Sequence, residues 1–237
     1  MRNKIHEVLM ARPFSIKYDK FDLEIKVNEI RTKHTVKCNF RSKGNYKEAF
    51  NSIFRFFNEL VWFYDIRVSN INGGHSHGSH VQLNYSVNGE HYLLRFTQKA
   101  LNDRQHLALG FFREALCNES PYYRFLCFDK ILQIPFKKHQ GKQKAHWIES
   151  QLLQLTDELA INFRDVRYER MKNSENQSLA DWLYKDGRQA LAHAHFEEFI
   201  RDPNNYDDWD EVKWANTVMQ DLARMCIIHK LGVSDSR

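Results

Sequence analysis

The hydrophobic period of this chain changes near residue 98, and the change divides it between two architectures. Upstream, apolar and polar residues alternate, as in Phe21-Asp22-Leu23-Glu24-Ile25-Lys26-Val27, the period-two pattern of a half-buried strand. Short runs of this kind extend from Phe14 to Phe40. Between Tyr46 and Tyr64 the residues Ala49, Phe50, Ile53, Phe54, Phe57, Leu60 and Val61 recur at helical spacing, which predicts one helix laid on the sheet by an aromatic core face. Two further strand-like runs, Val81 to Val87 and His91 to Phe96, flank Asn88-Gly89, the strongest short hairpin signal in the chain. Residues 1–98 therefore read as an α+β module.

Residues 99–237 carry long helical periods instead. Ala100 to Leu116 is a first helix, and Ser120-Pro121 supplies an N-cap followed by proline at the first helical position of a second, which Pro135 ends. Ile148, Leu152, Leu155, Leu159 and Val166 mark one helix from about Lys144 to Arg170. Ser178-Leu179-Ala180-Asp181 resembles a capping box opening a helix to about Ile200, before Asp202-Pro203-Asn204-Asn205 stops it. Asp208-Trp209-Asp210-Glu211 opens the last helix, whose acidic first turn complements the helix dipole and whose C-cap is Gly232. The fold class is α+β: an N-terminal sheet module followed by an all-α antiparallel bundle of four or five helices.

No run approaches the roughly 18–20 uncharged apolar residues that span a bilayer, and the first residues lack an apolar signal region. A cytoplasmic protein without a membrane partner is the expectation. Cys38, Cys117, Cys127 and Cys226 lie far apart with no Cys-x-x-Cys pair, so they read as buried, reduced thiols rather than a zinc or disulfide framework. Residues 1–98 carry 15 Lys+Arg against 9 Asp+Glu, and the remainder 20 against 21. The basic excess is too small for a dedicated nucleic-acid binder.

Arg188 and His193 stand in a small, apolar stretch of a bundle helix, beside Ala190-Leu191-Ala192 and Ala194. The alanines let a neighbouring helix approach closely, so guanidinium and imidazole would share a cleft. An imidazole titrating near pH 6.5 can move a proton on or off a ribose hydroxyl. A guanidinium, always charged and bidentate towards phosphate, suits the extra charge of a phosphodiester transition state. The pair needs neither metal nor cofactor for this chemistry.

Over Ser120 to Val233 the chain resembles the HEPN (higher eukaryote and prokaryote nucleotide-binding) superfamily. The likeness rests on the first helix Pro121-Tyr122-Tyr123-Arg124-Phe125-Leu126-Cys127-Phe128-Asp129-Lys130-Ile131-Leu132, and on Leu183-Tyr184-Lys185-Asp186-Gly187-Arg188 leading to His193-Ala194-His195. The elements look most like the branch that includes the methylamine-utilisation protein J family. The resemblance implies a homodimer whose two Arg-x4–6-His motifs form one RNA-cleaving site, with a toxin or antiviral-defence role. An antitoxin or sensor partner would restrain it, and residues 1–98 would be the sensing or partner-binding module. Gln189 departs from the Asn, Asp or His common at that place. His195 also fits the tolerated spacing: at about 100° per residue it lies about 20° from Arg188 around an α-helix, and His193 about 140°. Helix geometry favours His195 and the family pattern favours His193, which we rank first.

Two other clusters stand out. Lys137, Lys138, Lys142 and Lys144 lie between two bundle helices, where they read as a solvated loop able to guide an RNA backbone. His75, His77 and His80 stand in a glycine-rich run without acidic or cysteine neighbours; a flexible surface loop, not a metal site, is the reading. A non-catalytic module that binds RNA or nucleotide, or mediates assembly, is the alternative to the nuclease, and an accessory protein of a metabolic gene cluster is a third reading by association of name.

Overall fold

The computed structural model describes residues 14–27, 33–40, 45–76, 79–87, 96–171, 178–192, 201–202 and 204–235. They divide at Asn102 and Asp103 into two compact units. A sheet comes first and helices follow, as the change of period requires.

In the first unit β1 (Phe14–Tyr18), β2 (Phe21–Val27) and β3 (Lys33–Asn39) form an antiparallel meander. After α1 (Tyr46–Tyr64), β4 (Val68–Ser76) and β5 (His80–Val87) complete five strands in the order β1-β2-β3-β5-β4. Leu23 and Ile25 are buried while Asp22 and Lys26 face out, and the register carries the apolar face across the sheet from Ile25 to Val36 to Leu83. Helix α1 buries Ile53, Phe56, Phe57 and Leu60, with the Phe57 and Tyr85 ring centroids 4.7 Å apart. Phe56 thus belongs to the core, whereas Phe50 stays exposed and packs on half-buried Phe54 at the flank of the stripe.

Two expectations for this unit need correction. Strand β5 has β3 on one edge and β4 on the other, so no edge remains for a strand across Asn88-Gly89; its hairpin partner is β4. Residues 88–95 lie outside the described residues. The glycine-histidine run is likewise strand and not loop over Gly73, Gly74, His75 and Ser76, which pair with β5. At Gly73 φ is +135°, and a Cβ there would meet the Gln82 carbonyl oxygen at 2.4 Å. Only glycine fits that close approach.

The second unit holds α2 (Asp103–Cys117), α3 (Pro121–Gln133), α4 (Gly141–Leu152), α5 (Glu158–Met171), α6 (Leu179–Trp182), α7 (Ala190–Ala192) and α8 (Tyr206–Met225). Leu183–Gln189 and Cys226–Lys230 are π-helical. Helix α3 packs against both α2 and α8, burying Phe125, Phe128, Ile131 and Leu132 against Phe112, Val212, Met219 and Leu222. Ser120 caps it, its Oγ accepting the Tyr123 amide at 3.4 Å, with Pro121 at the first position. Gly232, at φ +70°, ends the last helical stretch. Its amide donates to Ile228 O and that of Val233 to Ile227 O, both at 3.1 Å.

Three helices differ from expectation. The span from Lys144 to Arg170 is two helices, because Asp157 caps α5 by accepting the Leu159 and Ala160 amides at 2.9 and 3.0 Å. Asp221 of α8 takes the amides of Thr156 and Asp157 at 3.1 and 3.0 Å, satisfying the turn from outside. The last helix opens at Tyr206 rather than Asp208, since Asn205 Oδ1 accepts the Asp207 and Asp208 amides. The helix capped by Ser178 does not run straight to Ile200: the Arg201 amide donates to Ala190 O at 3.2 Å, whereas an α-helix rising about 1.5 Å per residue would part them by roughly 16 Å.

A buried acid ties the first unit together. Glu59 of α1 is fully buried; the Tyr18 hydroxyl donates to its Oε1 at 2.5 Å and the Lys99 amide to its Oε2 at 3.1 Å. Burial raises its carboxyl above the ordinary glutamate value, outweighing the two hydrogen bonds, which lower it. Between the unfolded and folded pKa the native state therefore binds more protons, and stability falls as pH rises through that window. Thermal unfolding followed upward from about pH 4.3, the unperturbed value, is expected to show this decline, and Glu59→Gln to flatten it. Tyr18→Phe, which strips the acid of a donor, is expected to cost about 1–3 kcal/mol in denaturant unfolding.

Candidate functional site

The Arg188 segment is built on a widened helix. Ser178 Oγ accepts the Asp181 amide at 3.1 Å and Glu149 Oε1 that of Ala180 at 2.8 Å, which fixes the start of α6. Leu179, Ala180, Trp182 and Leu183 are buried. The chain then passes into the π-helical turn Leu183–Gln189, a feature that recurs at functional sites. Within it Gly187 is buried on the Phe125 ring, where a Cβ would lie 2.5 Å from Cζ.

Arg201 fastens the far side of this turn. Besides its amide bond to Ala190, its Nε donates to the Asp186 carbonyl at 3.0 Å and its Nη1 to Asp208 Oδ1 at 2.7 Å, with Glu211 alongside. Trp182 carries two guanidinium groups on its ring, with Arg167 Cζ 4.1 Å and Arg201 Cζ 5.8 Å from the centroid. Burial, together with the charges of Arg170 and Arg201, lowers the Arg167 pKa to about 10, so it remains a cation at neutral pH.

Arg188 follows Gly187 and lines a cleft of about 820 Å³. Lys137, Lys138, Lys142 and Lys144 line the same cleft, so it gathers five cations against the carboxylates of Asp129 and Asp181. Lys142 and Lys144 lie in the first turn of α4, which holds no acidic residue. Helix dipole and side chains there add to one positive potential, the condition for holding an anion. At the cleft wall Asp129, only 5 % exposed, draws donors from three directions. Gln133 Nε2 donates to its Oδ2 at 2.5 Å, Lys144 Nζ lies 3.5 Å from Oδ1, and Arg188 Nε lies 3.7 Å from Oδ2. Tyr184, 42 % exposed, lines the cleft with Lys144 Nζ and Arg188 Cζ 5.6 and 5.9 Å from its ring centre.

The structure thus brings Arg188 together with all four lysines: Lys137 and Lys138 lie in the connection between α3 and α4, as the loop reading has it, whereas Lys142 and Lys144 are helical. Gln189 is half-buried and is not among the residues that line the cleft. His193 and His195 lie outside the described residues. An α-helical angle count from Arg188 to either loses its basis, because Arg188 stands in a π-turn and the chain is back at Ala190 by Arg201. Asp129, Gln133, Tyr184 and Arg201 were not singled out from sequence. A charge at Asp129, one turn from Phe125 and Leu132 on a core helix, was the available signal.

The remaining clusters are quieter. His77 and the His75 side chain lie outside the described residues, and the His80 Nδ1 is 3.1 Å from Ser79 Oγ. Among the described residues no group of three or more His, Cys, Asp or Glu is arranged to hold a metal ion. None of the four cysteines is in a disulfide; three are buried and Cys117 is half-buried rather than buried. Burial pushes the Cys38 and Cys226 thiols up to about 12, which leaves them poor nucleophiles. No helix among the described residues is long and apolar enough to cross a membrane.

Because a Cβ at Gly187 would press into the Phe125 ring, Gly187→Ala is expected to destabilise by about 1–3 kcal/mol through overpacking. Exposed Lys185→Ala in the same turn is expected to stay within about 0.5 kcal/mol of the parent. Denaturant unfolding of both variants checks the difference.

A family model described as "Methylamine utilization protein MauJ" matches residues 108–228, about half of the chain. The matched span begins in α2, ends within the Cys226–Lys230 turn and includes every residue lining the cleft. No curated protein and no solved structure matches the chain. The chain belongs to the methylamine utilization protein MauJ family.

Proposed function

We propose that the helical unit is a HEPN-type endoribonuclease that binds an RNA backbone in the cationic cleft and cleaves it without a metal ion. The supporting observation is that Arg188, the arginine of the Arg-x4-His motif, shares its cleft with Lys137, Lys138, Lys142, Lys144 and the α4 N-terminus. Cations so placed attract phosphates and release their counterions. Arg188 holds the scissile phosphate and spreads its transition-state charge. His193, or His195 in its place, takes the proton of the ribose 2′-hydroxyl as the 2′-oxygen bonds to phosphorus. The bond to the 5′-oxygen breaks, that oxygen gains a proton, and the products carry 2′,3′-cyclic phosphate and 5′-hydroxyl ends.

The active form is a homodimer that joins two such motifs, in the cytoplasm, as a toxin or antiviral effector. Residues 1–98 serve as the sensing or partner-binding module, since unrestrained RNA cleavage is toxic to its host. An antitoxin is the alternative restraint. A second reading, a non-catalytic module for RNA or nucleotide binding or for assembly, draws support from Asp129. Its carboxylate stands where it offsets part of the charge Arg188 and Lys144 present to a phosphate.

Incubation of the purified full chain with structured RNA in EDTA separates the two. The nuclease reading expects fragments with cyclic phosphate ends, reduced about 100-fold or more by Arg188→Ala and lost in His193→Ala or His195→Ala, whichever residue acts. Salt-sensitive RNA binding without fragments would leave the binding module. Undiminished cleavage by Arg188→Ala would assign the activity elsewhere.

A further inference from the structure

We infer that Asp129 is a positioning residue for Arg188, acting on the reaction through the arginine and not on the substrate. The inference rests on the nuclease reading and adds a residue outside the motif to it.

Asp129 sits on the buried side of α3, beside Phe125, Phe128 and Leu132, where a lone carboxylate is costly. Its partners show what holds it there. Gln133, one turn on, donates to Oδ2 at 2.5 Å and fixes the carboxylate rotamer from within the same helix. Lys144 reaches Oδ1 at 3.5 Å from α4. Arg188 lies 3.7 Å away through Nε, too far for a hydrogen bond and close enough for a charge tether. Three chain segments distant in sequence thus meet at one anion. A packed support behind a long cationic side chain is how a reacting group is held within tolerance of its target.

The alternative is a salt bridge that only stabilises the fold, or an anion that merely weakens RNA binding. The three roles predict different patterns. A positioning role lowers turnover while leaving affinity intact, because Asp129→Asn also removes a negative charge from the cleft wall. A purely structural role lowers the melting temperature without a selective loss of turnover. A purely repulsive role raises affinity and turnover together.

The test is a double-mutant cycle on cleavage in EDTA, with single-turnover rates and the affinity for a non-cleavable 2′-deoxy oligonucleotide measured on the full chain. Asp129→Asn is expected to slow cleavage by about 10- to 100-fold with the oligonucleotide bound as tightly as before or more so. If Asp129 acts through Arg188, adding Asp129→Asn to Arg188→Ala costs nothing further. Thermal unfolding of each variant accounts for any loss of folded protein, and Asp129→Ser supplies a second variant should the asparagine fold poorly. Independent, multiplicative losses in the double variant, or cleavage by Asp129→Asn at the parental rate, overturn the inference while the nuclease stands. Absence of Arg188-dependent cleavage in the parent protein removes the nuclease reading and the positioning role with it.

Discussion

A carboxylate inside a helical core must find donors, and much of the second unit is arranged around meeting that need at Asp129. Gln133 comes from the same helix, Lys144 from the first turn of α4 and Arg188 from the π-turn after α6. Each donor fixes the segment that carries it, so the cleft wall is set by an anion at the junction of three segments. The same group limits the cleft's positive field. Five cations and two carboxylates leave a lining of net positive charge that is not uniformly basic.

Buried Arg201 and half-buried Arg167 do similar work on the opposite side of the motif segment. Arg201 joins the π-turn to the first turn of α8 through Asp186 O and Asp208, and shares the Trp182 ring with Arg167. Such pairs contribute less to net stability than their number suggests, because desolvation offsets much of the Coulomb gain. Their effect is geometric. They hold Arg201 beside the π-turn, where its amide meets Ala190 O.

The broad architecture was legible because it follows from period and punctuation: alternation gave β1 to β3, helical spacing gave α1, and Ser120-Pro121, Ser178 and Gly232 bounded helices as their side chains or backbones predict. What escaped had causes outside the local pattern. Leu152, Leu155 and Leu159 keep helical spacing across a break that Asp157 and the distant Asp221 create. Strand β4 hides in Asn72 to Gly74, residues of low strand propensity held by pairing with β5. Gly187 in the π-turn packs against Phe125, a contact between segments remote in sequence. For the site, the motif picked out Arg188 and composition picked out the lysines, yet nothing local to Arg188 pointed to Asp129.

The bond from the Arg201 amide to the Ala190 carbonyl has an evolutionary consequence. Where a segment's two ends are fastened to each other, its contour length is decoupled from the frame that holds it. Lengthening such a segment costs only the slow logarithmic growth of closure entropy, about 0.6 kcal/mol per doubling. Insertions or deletions between Ala190 and Arg201 can thus accumulate without moving Gly187, Arg188 or the cleft.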